Sequence, residues 1–241
     1  MLDHRINRAK TYPYTIPGSS YIFREGHPLK FLGALNLADL KDRKPVLAVG
    51  SNQSPNQLAQ KFAPRDWGPI PVIRAKVHGY DSVYSPHITS YGSIPATLQE
   101  VIGVTASLFV TWLNNDQMMR MHETEIADSN YTFGILVDLN AEMEVGPPIK
   151  EAYVYISNHG HLCDAGQPMP LLEINALKRR QTGRSQLEIQ QFVRDFLEPG
   201  IEIDEFIRTS INSREIRRRR LIRLKTLAQS IQLKSFYKTS V

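Results

Sequence analysis

The stretch Val46-Leu47-Ala48-Val49-Gly50-Ser51-Asn52 runs four apolar residues directly into a polar tripeptide that contains glycine. The apolar run lacks alternation, so it reads as a short strand at 46–49 buried on both faces. Ser54-Pro55-Asn56-Gln57 follows at once. Ser54 suits a helix N-cap, Pro55 the first helical position and Gln57 the reciprocal position of a capping box. Pro64 would stop that helix. Gly50 permits a backbone conformation that other residues resist. Amides of the turn and of the first helical turn would converge on one point, where the helix dipole favours negative charge. A carboxylate or phosphate could sit there, although the same residues also suit an ordinary capped β–α turn. No Gly-Lys-Ser/Thr follows, which excludes a Walker loop.

Outward from this stretch, residues 1–44 are polar, with Pro13, Pro17, Gly18 and Pro28 scattered among them. They read as a mostly irregular surface arm with at most a short turn near Leu37–Leu40. Residues 71–112 read as β, with a turn at Ser90-Tyr91-Gly92-Ser93 and a β-branched and aromatic run from Val104 to Trp112. Asn114 and Gln117 have capping spacing for a helix reaching about Ala127. Tyr131–Leu139 and Ala152–Ser157 are further strand candidates. After Gly166-Gln167-Pro168 the pattern turns helical. Ser185 with Glu188 opens a helix to Leu197, stopped by Pro199-Gly200. Asn212 with Glu215 opens another that carries Ile216, Leu221, Leu224, Leu227 and Ile231. The expected organisation is an arm at 1–44, an α+β core at 45–160 and a helical basic extension at 161–241.

Composition supports an ordinary globular chain. The 241 residues are 41% apolar and 22% charged. No apolar run reaches the roughly 20 residues of a membrane span, and Met1–Lys10 lacks the apolar core of a secretory signal. Cys163 is the only cysteine, so an intrachain disulfide is impossible and a reducing, cytoplasmic setting is expected. Residues 1–160 carry 14 Lys/Arg against 15 Asp/Glu, whereas 161–241 carry 15 against 9. The net charge of +5 therefore belongs to the C-terminal third.

Three further clusters bear on chemistry. On the helix Asn115–Ile126, Met118, Met119, Met121 and Ile126 define an apolar direction. Glu125 lies about 55° from it and Glu123 about 105°. Glu125 is thus the inward carboxylate, and burial would raise its pKa toward the range of a general acid/base, unless it is a boundary glutamate paired with Arg or with a backbone amide. His122 falls on the apolar direction and reads as a hydrogen-bonded core histidine. His159, His161 and Cys163 could share a strand face, but no fourth ligand stands at useful spacing, and no metal is expected. Arg214, Arg217–Arg220, Arg223 and Lys225 wrap around one helix. They read as a solvated face, or as a contact for nucleic acid or an acidic partner over Arg214–Lys225.

The first two constellations together resemble the gamma-glutamylcyclotransferase-like family. Its pattern is a strand ending in Tyr-Gly-Ser-Asn, a β-rich stretch, a helix with a Leu-Asp-x-x-Glu-like motif and a tyrosine shortly after. The counterparts here are Val49-Gly50-Ser51-Asn52, Gly92 to Trp112, Met121-His122-Glu123-Thr124-Glu125 and Tyr131. The match spans about residues 46–157. Val49 stands where the family has tyrosine, His122 where it has aspartate, and Ile126 where it has glycine. The resemblance implies an α+β fold, a mixed β-barrel/sheet core with flanking helices, here with a helical C-terminal extension. It implies substrate binding by Val49, Gly50, Ser51, Asn52 and Tyr131, with Glu125 as acid/base. The implied reaction cyclises a small γ-glutamyl compound to 5-oxoproline without metal or organic cofactor. The alternatives are a non-catalytic carboxylate or peptide binder of the same fold, and an interaction protein acting through the basic helices.

Overall fold

The computed structural model of the chain describes residues 4–31, 37–63, 65–126 and 129–239. Its helices are α1 (His4–Lys10), α2 (Pro55–Phe62), α3 (Asn115–Glu125), α4 (Gln186–Leu197), α5 (Ile203–Asn212) and α6 (Arg214–Leu224). The strands are β1 (Tyr21–Arg24), β2 (His27–Lys30), β3 (Lys44–Ala48), β4 (Ile70–Tyr84), β5 (Ala96–Leu113), β6 (Tyr131–Leu136) and β7 (Ala141–Met143). Then come β8 (Ala152–Ser157), β9 (His161–Asp164), β10 (Gln167–Pro168), β11 (Ala176–Leu177), β12 (Ala228–Gln229) and β13 (Phe236–Lys238). The expected stop at Pro64 and the helix limit at Ala127 lie outside the described residues.

β3 is central, as its continuous apolar run requires. It pairs antiparallel with β5, Leu47 opposite Val110, and parallel with β8 through Val46 and Tyr153. Val46, Leu47 and Ala48 are each only 2% exposed. Successive side chains of a strand point to opposite faces. Leu47 therefore joins one core, with Val110, Ile94 and Val154, while Val46 and Ala48 join another, with Leu58, Phe109 and Met121. α2 and α3 cover that second face.

The main sheet runs β13-β6-β8-β3-β5-β4-β1-β2, with β11 added to β5 and β7 to β4. The class is α+β with a large mixed sheet and flanking helices. The described strands do not close into a barrel: β2 pairs only with β1, and β13 only with β6. β4 and β5 form a long hairpin in register from Val72–Thr111 to Tyr84–Ala96, shifted between His78 and Tyr80. Its connecting loop, residues 85–95, carries the expected turn, with Gly92 at φ 86°.

The N-terminal residues are more regular than expected. Ile6 and Ala9 of α1 pack on Ile207 of α5. β1 and β2 form a hairpin whose turn is Glu25-Gly26, both at positive φ, the geometry that matches strand twist. β1 then pairs with β4, Tyr21 opposite Val72. The short turn at Leu37–Leu40 is a 3-10 turn.

The segment after residue 160 holds α4 to α6 and also adds strands to the sheets. α4 is opened by the full Ser185–Glu188 capping box. α5 was not expected. α6 starts from Ser213, whose side chain accepts from the Ile216 amide, and not from Asn212. It ends at Leu224 in a 3-10 turn, so Ile231 lies beyond the helix. No described helix is long and apolar enough to cross a membrane.

Candidate functional site

β3 delivers Val49 to the sheet end, and the chain turns at Gly50. Residues Ser51–Gln53 form a 3-10 turn, in which Gln53 N–H donates to Gly50 O and Ser54 N–H to Ser51 O. Gly50 has φ −143°, so glycine is not required here by a left-handed backbone, contrary to expectation. Close approach requires it: a Cβ would stand 2.2 Å from Tyr12 Oη and 2.9 Å from Ala96 Cβ. α2 starts at Pro55 with Ser54 as N-cap, but the capping box is absent. Ser54 Oγ and Gln57 Oε1 are both buried without a partner.

α3 has the full Asn114–Gln117 capping box. Met118 and Met121 enter the core, while Met119 is 64% exposed, so the apolar direction is narrower than the methionine run implied. Glu123 is exposed and pairs with Arg120. Glu125, the last helical residue, turns inward, its side chain 15% exposed. Its Oε1 accepts from Asn52 Nδ2 at 2.9 Å and forms an ion pair with Lys61, whose side chain is 7% exposed. Among the described residues Oε2 has no protein partner. Arg120 Nε donates to Lys61 O, which ties α3 to α2. The carboxyl is thus held by two donors, Asn52 and Lys61, neither of which is the arginine or backbone amide weighed as its partner.

Glu125 and the Gly50 turn share one cleft of about 1000 Å³. Tyr12, Tyr91 and Tyr131 also line it. The Tyr12 hydroxyl accepts from Ala96 N–H at 2.9 Å and lies against the Ser51 amide. Tyr131 donates to Ala96 O at 3.0 Å. Burial holds all three phenols well above the ordinary tyrosine pKa, and the Glu125 charge acts in the same direction. They are therefore protonated donors at neutral pH. Among the described residues, Asn52 Oδ1 and Gln57 Oε1 are buried without a partner. Bare buried acceptors are costly, and these two suit the donors of a ligand.

His87, on the loop after β4, lies on the wall, 3% exposed. Its Nδ1 is 2.8 Å from Ser85 Oγ, which is 2.8 Å from Ser157 Oγ. Burial, aided by the neighbouring His159, pushes its pKa down to about 3, so the ring is neutral at physiological pH. Arg214, Arg217 and Arg218 of α6 also line the cleft, together with Glu215. Arg220 turns the other way, into an ion pair with Glu198 and across the Phe206 ring. Arg223 donates to Leu197 O. The basic helix is therefore divided between core, cleft and solvent.

The structure brings Val49, Gly50, Ser51, Asn52, Glu125 and Tyr131 to the walls of the same cleft. His122 is half-buried, its Nδ1 2.8 Å from the Tyr155 hydroxyl. His161 Nδ1 is 3.4 Å from Cys163 Sγ, whereas His159 Nε2 meets Asn130. Among the described residues no three His, Cys, Asp or Glu side chains are grouped so as to hold a metal. Sequence reasoning missed Tyr12, Lys61, His87 and the arginine wall. Lys61 was the most accessible of these, because it stands one helical turn after Gln57 on the same face of α2.

No known protein-family profile matches the chain, and no curated protein matches it. Solved structures similar to the chain include the following two. One is described as a gamma-glutamyl cyclotransferase, with a TM-score of 0.39 and 12% identity over 70% of this chain and 86% of that one. The other is YkqA from Bacillus subtilis, with a TM-score of 0.36 and 16% identity over 73% of this chain and 57% of that one. At such identities neither likeness assigns a role to a residue of this chain.

Proposed function

We propose that this chain is a gamma-glutamylcyclotransferase-like enzyme that cyclises a γ-glutamyl compound to 5-oxoproline and releases an amine or amino acid. One observation carries the reading: the Gly50–Asn52 turn and the Glu125 carboxyl, 73 residues apart at their contact, meet through Asn52 Nδ2 and Oε1 in one cleft. The sequence motifs around Gly50 and Glu125 support it independently.

In this mechanism the substrate's α-ammonium lies against Glu125 Oε2 and the bare Asn52 Oδ1. Glu125 takes one proton from the ammonium. The freed amine attacks the γ-carbonyl carbon, forming the ring C–N bond and a tetrahedral oxyanion. Collapse breaks the original γ-amide C–N bond as Glu125 returns its proton to the departing nitrogen; Glu125 then takes the second proton from the ring nitrogen, leaving the neutral lactam, and passes it to the released amine, which departs as an ammonium. Donors along the turn and the protonated Tyr12 hydroxyl stabilise the oxyanion. The cleft holds amine and carbonyl folded onto each other, which removes much of the entropic barrier. Lys61 fixes the carboxyl rotamer from Oε1.

The decisive variant is Glu125→Gln. It keeps the Asn52 contact geometry and removes the proton acceptor. Release of 5-oxoproline from a panel of γ-glutamyl compounds is expected to fall at least 10²-fold; the unfolding midpoint should fall as well, because Lys61 loses its counter-charge, so a native near-ultraviolet circular dichroism spectrum is the check that the fold is retained. Undiminished release in this variant would take Glu125 out of the mechanism.

The Lys61 ion pair favours one other reading, a non-catalytic binder of the same fold in which Glu125 and Lys61 are structural. That reading predicts no turnover across the panel, together with ligand-induced thermal stabilisation.

A further inference from the structure

The cleft is larger than a glutamyl group needs, and one of its walls is cationic. At about 1000 Å³ it lies at the upper end of the range for small-molecule sites. Its lining includes the Lys61–Glu125 pair, already mutually compensated. From α6 it also includes Arg214, Arg217, Arg218 and one carboxylate, Glu215. Arg217 is satisfied by the carbonyls of Ser210 and Ile211. Arg214 and Arg218 are exposed, and among the described residues neither has a hydrogen-bond or ion-pair partner. At spacing i, i+4 their guanidinium groups stand side by side on one helix face. Of the other arginines of α6, Arg220 and Arg223 are consumed by Glu198 and the end of α4, and Arg219 is exposed outside the cleft lining.

We infer that α6 makes the site selective for γ-glutamyl compounds whose leaving group carries two anionic groups, with Arg214 and Arg218 as the specificity-determining residues. The inference rests on the cyclisation reading above. The glutamyl end occupies the turn and Glu125, and the leaving group extends across the cleft to α6. A planar guanidinium matches carboxylate and phosphate oxygens alike, so acidic amino-acid and phosphorylated amine leaving groups share the required chemistry. Because both arginines are free of internal contacts, their charge serves a ligand and not the fold.

The test compares kcat/KM for γ-glutamylglutamate, γ-glutamylalanine and γ-glutamylmethylamide, whose leaving groups carry two, one and no carboxylates. γ-Glutamylphosphoethanolamine separates phosphate from carboxylate preference. The expected order follows leaving-group charge, with at least a tenfold span between the glutamate and methylamide compounds. The span should shrink in high salt, as partly exposed ion contacts do. In the double variant Arg214→Gln/Arg218→Gln the ratio should approach one, with an unchanged unfolding midpoint. Equal kcat/KM across the three compounds in the intact protein overturns the inference while leaving cyclisation standing. If no compound is turned over, the cyclisation reading fails on its own. Calorimetric titration with the same compounds then decides: tighter binding of γ-glutamylglutamate that the double variant loses upholds the arginine assignment, and equal affinities overturn it.

Discussion

Tyr12 reaches the Gly50 turn from the N-terminal segment, and the two positions are sterically interlocked. Adding a Cβ at Gly50 places carbon 2.2 Å from a phenolic oxygen that also accepts from the Ala96 amide. Overpacking of this kind costs about 1–3 kcal/mol. Gly50→Ala is therefore expected to destabilise the protein by about 2 kcal/mol in urea unfolding. Tyr12→Phe removes the clashing oxygen but strands the Ala96 N–H. The two costs should not add, and a double-mutant cycle should show coupling above about 0.5 kcal/mol. Strict additivity would show that the phenol moves away freely. His87 makes a second prediction at this scale. Its ordinary pKa of 6.5 falls to about 3 on burial. Between those values the unfolded chain binds the proton and the folded one does not, so stability falls as pH drops through that window. One such group contributes a slope of up to about 1.4 kcal/mol per pH unit. His87→Gln should flatten the unfolding free energy between pH 6.5 and 4 relative to the parent protein. An unchanged slope would mean that His87 is hydrated or charged in the fold.

Among the elements, α6 is fixed by one side chain. Arg220 is buried, pairs with both oxygens of Glu198, donates to Phe206 O and lies 3.8 Å above the Phe206 ring. Glu198 is 30% exposed and is rehydrated when Arg220 is removed, so the cost comes from the lost hydrogen bonds of Arg220 and the stranded Phe206 O, about 2 kcal/mol. Arg220→Met should lower the unfolding midpoint accordingly, whereas Arg219→Met, at an exposed position, should change it little. The Arg220 hydrogen bonds hold the Glu198 carboxyl below its ordinary 4.5. That contribution is present above pH 4.5 and is lost as pH falls through the lower folded value, so Arg220→Met should lessen acid sensitivity below pH 4.5. The same elements show which signals a sequence carries. The boxes at Asn114–Gln117 and Ser185–Glu188 were legible because both partners lie within one helical turn. The box at Ser54–Gln57 fails because Gln57 faces the cleft. β3 was legible because burial on both faces removes alternation. The β1–β2 hairpin was not, because β2 is exposed throughout and the hairpin is anchored only through the pairing of β1 with the distant β4. Glu125 could be read as inward from its angle on α3, but its partner Lys61 depends on how α2 packs there.

At the scale of the molecule, the cleft is assembled from segments that are far apart in sequence: Tyr12, the turn after β3, the loop after β4, the end of α3 and the face of α6. The last of these belongs to the segment that sequence composition marked as a basic extension. Its packing makes it integral to the described fold. Phe206, Ile207 and Leu224 are fully buried, Gln190 donates to Ala9 O and Gly92 O, and β13 pairs along β6. Burying three large apolar side chains contributes about 1.5–3 kcal/mol each. The sum is comparable to the net stability of an ordinary domain. A chain ending at residue 200 is therefore expected to lose cooperative thermal unfolding and near-ultraviolet circular dichroism, besides any binding by α6. Loss of ligand binding on such a truncation would report the collapse of the fold and not the position of a contact. Point substitutions at Arg214 and Arg218 avoid this, because neither side chain touches the core. A cooperative transition in the truncated chain, with native near-ultraviolet signal, would instead establish residues 1–200 as self-sufficient and α6 as a removable wall of the cleft.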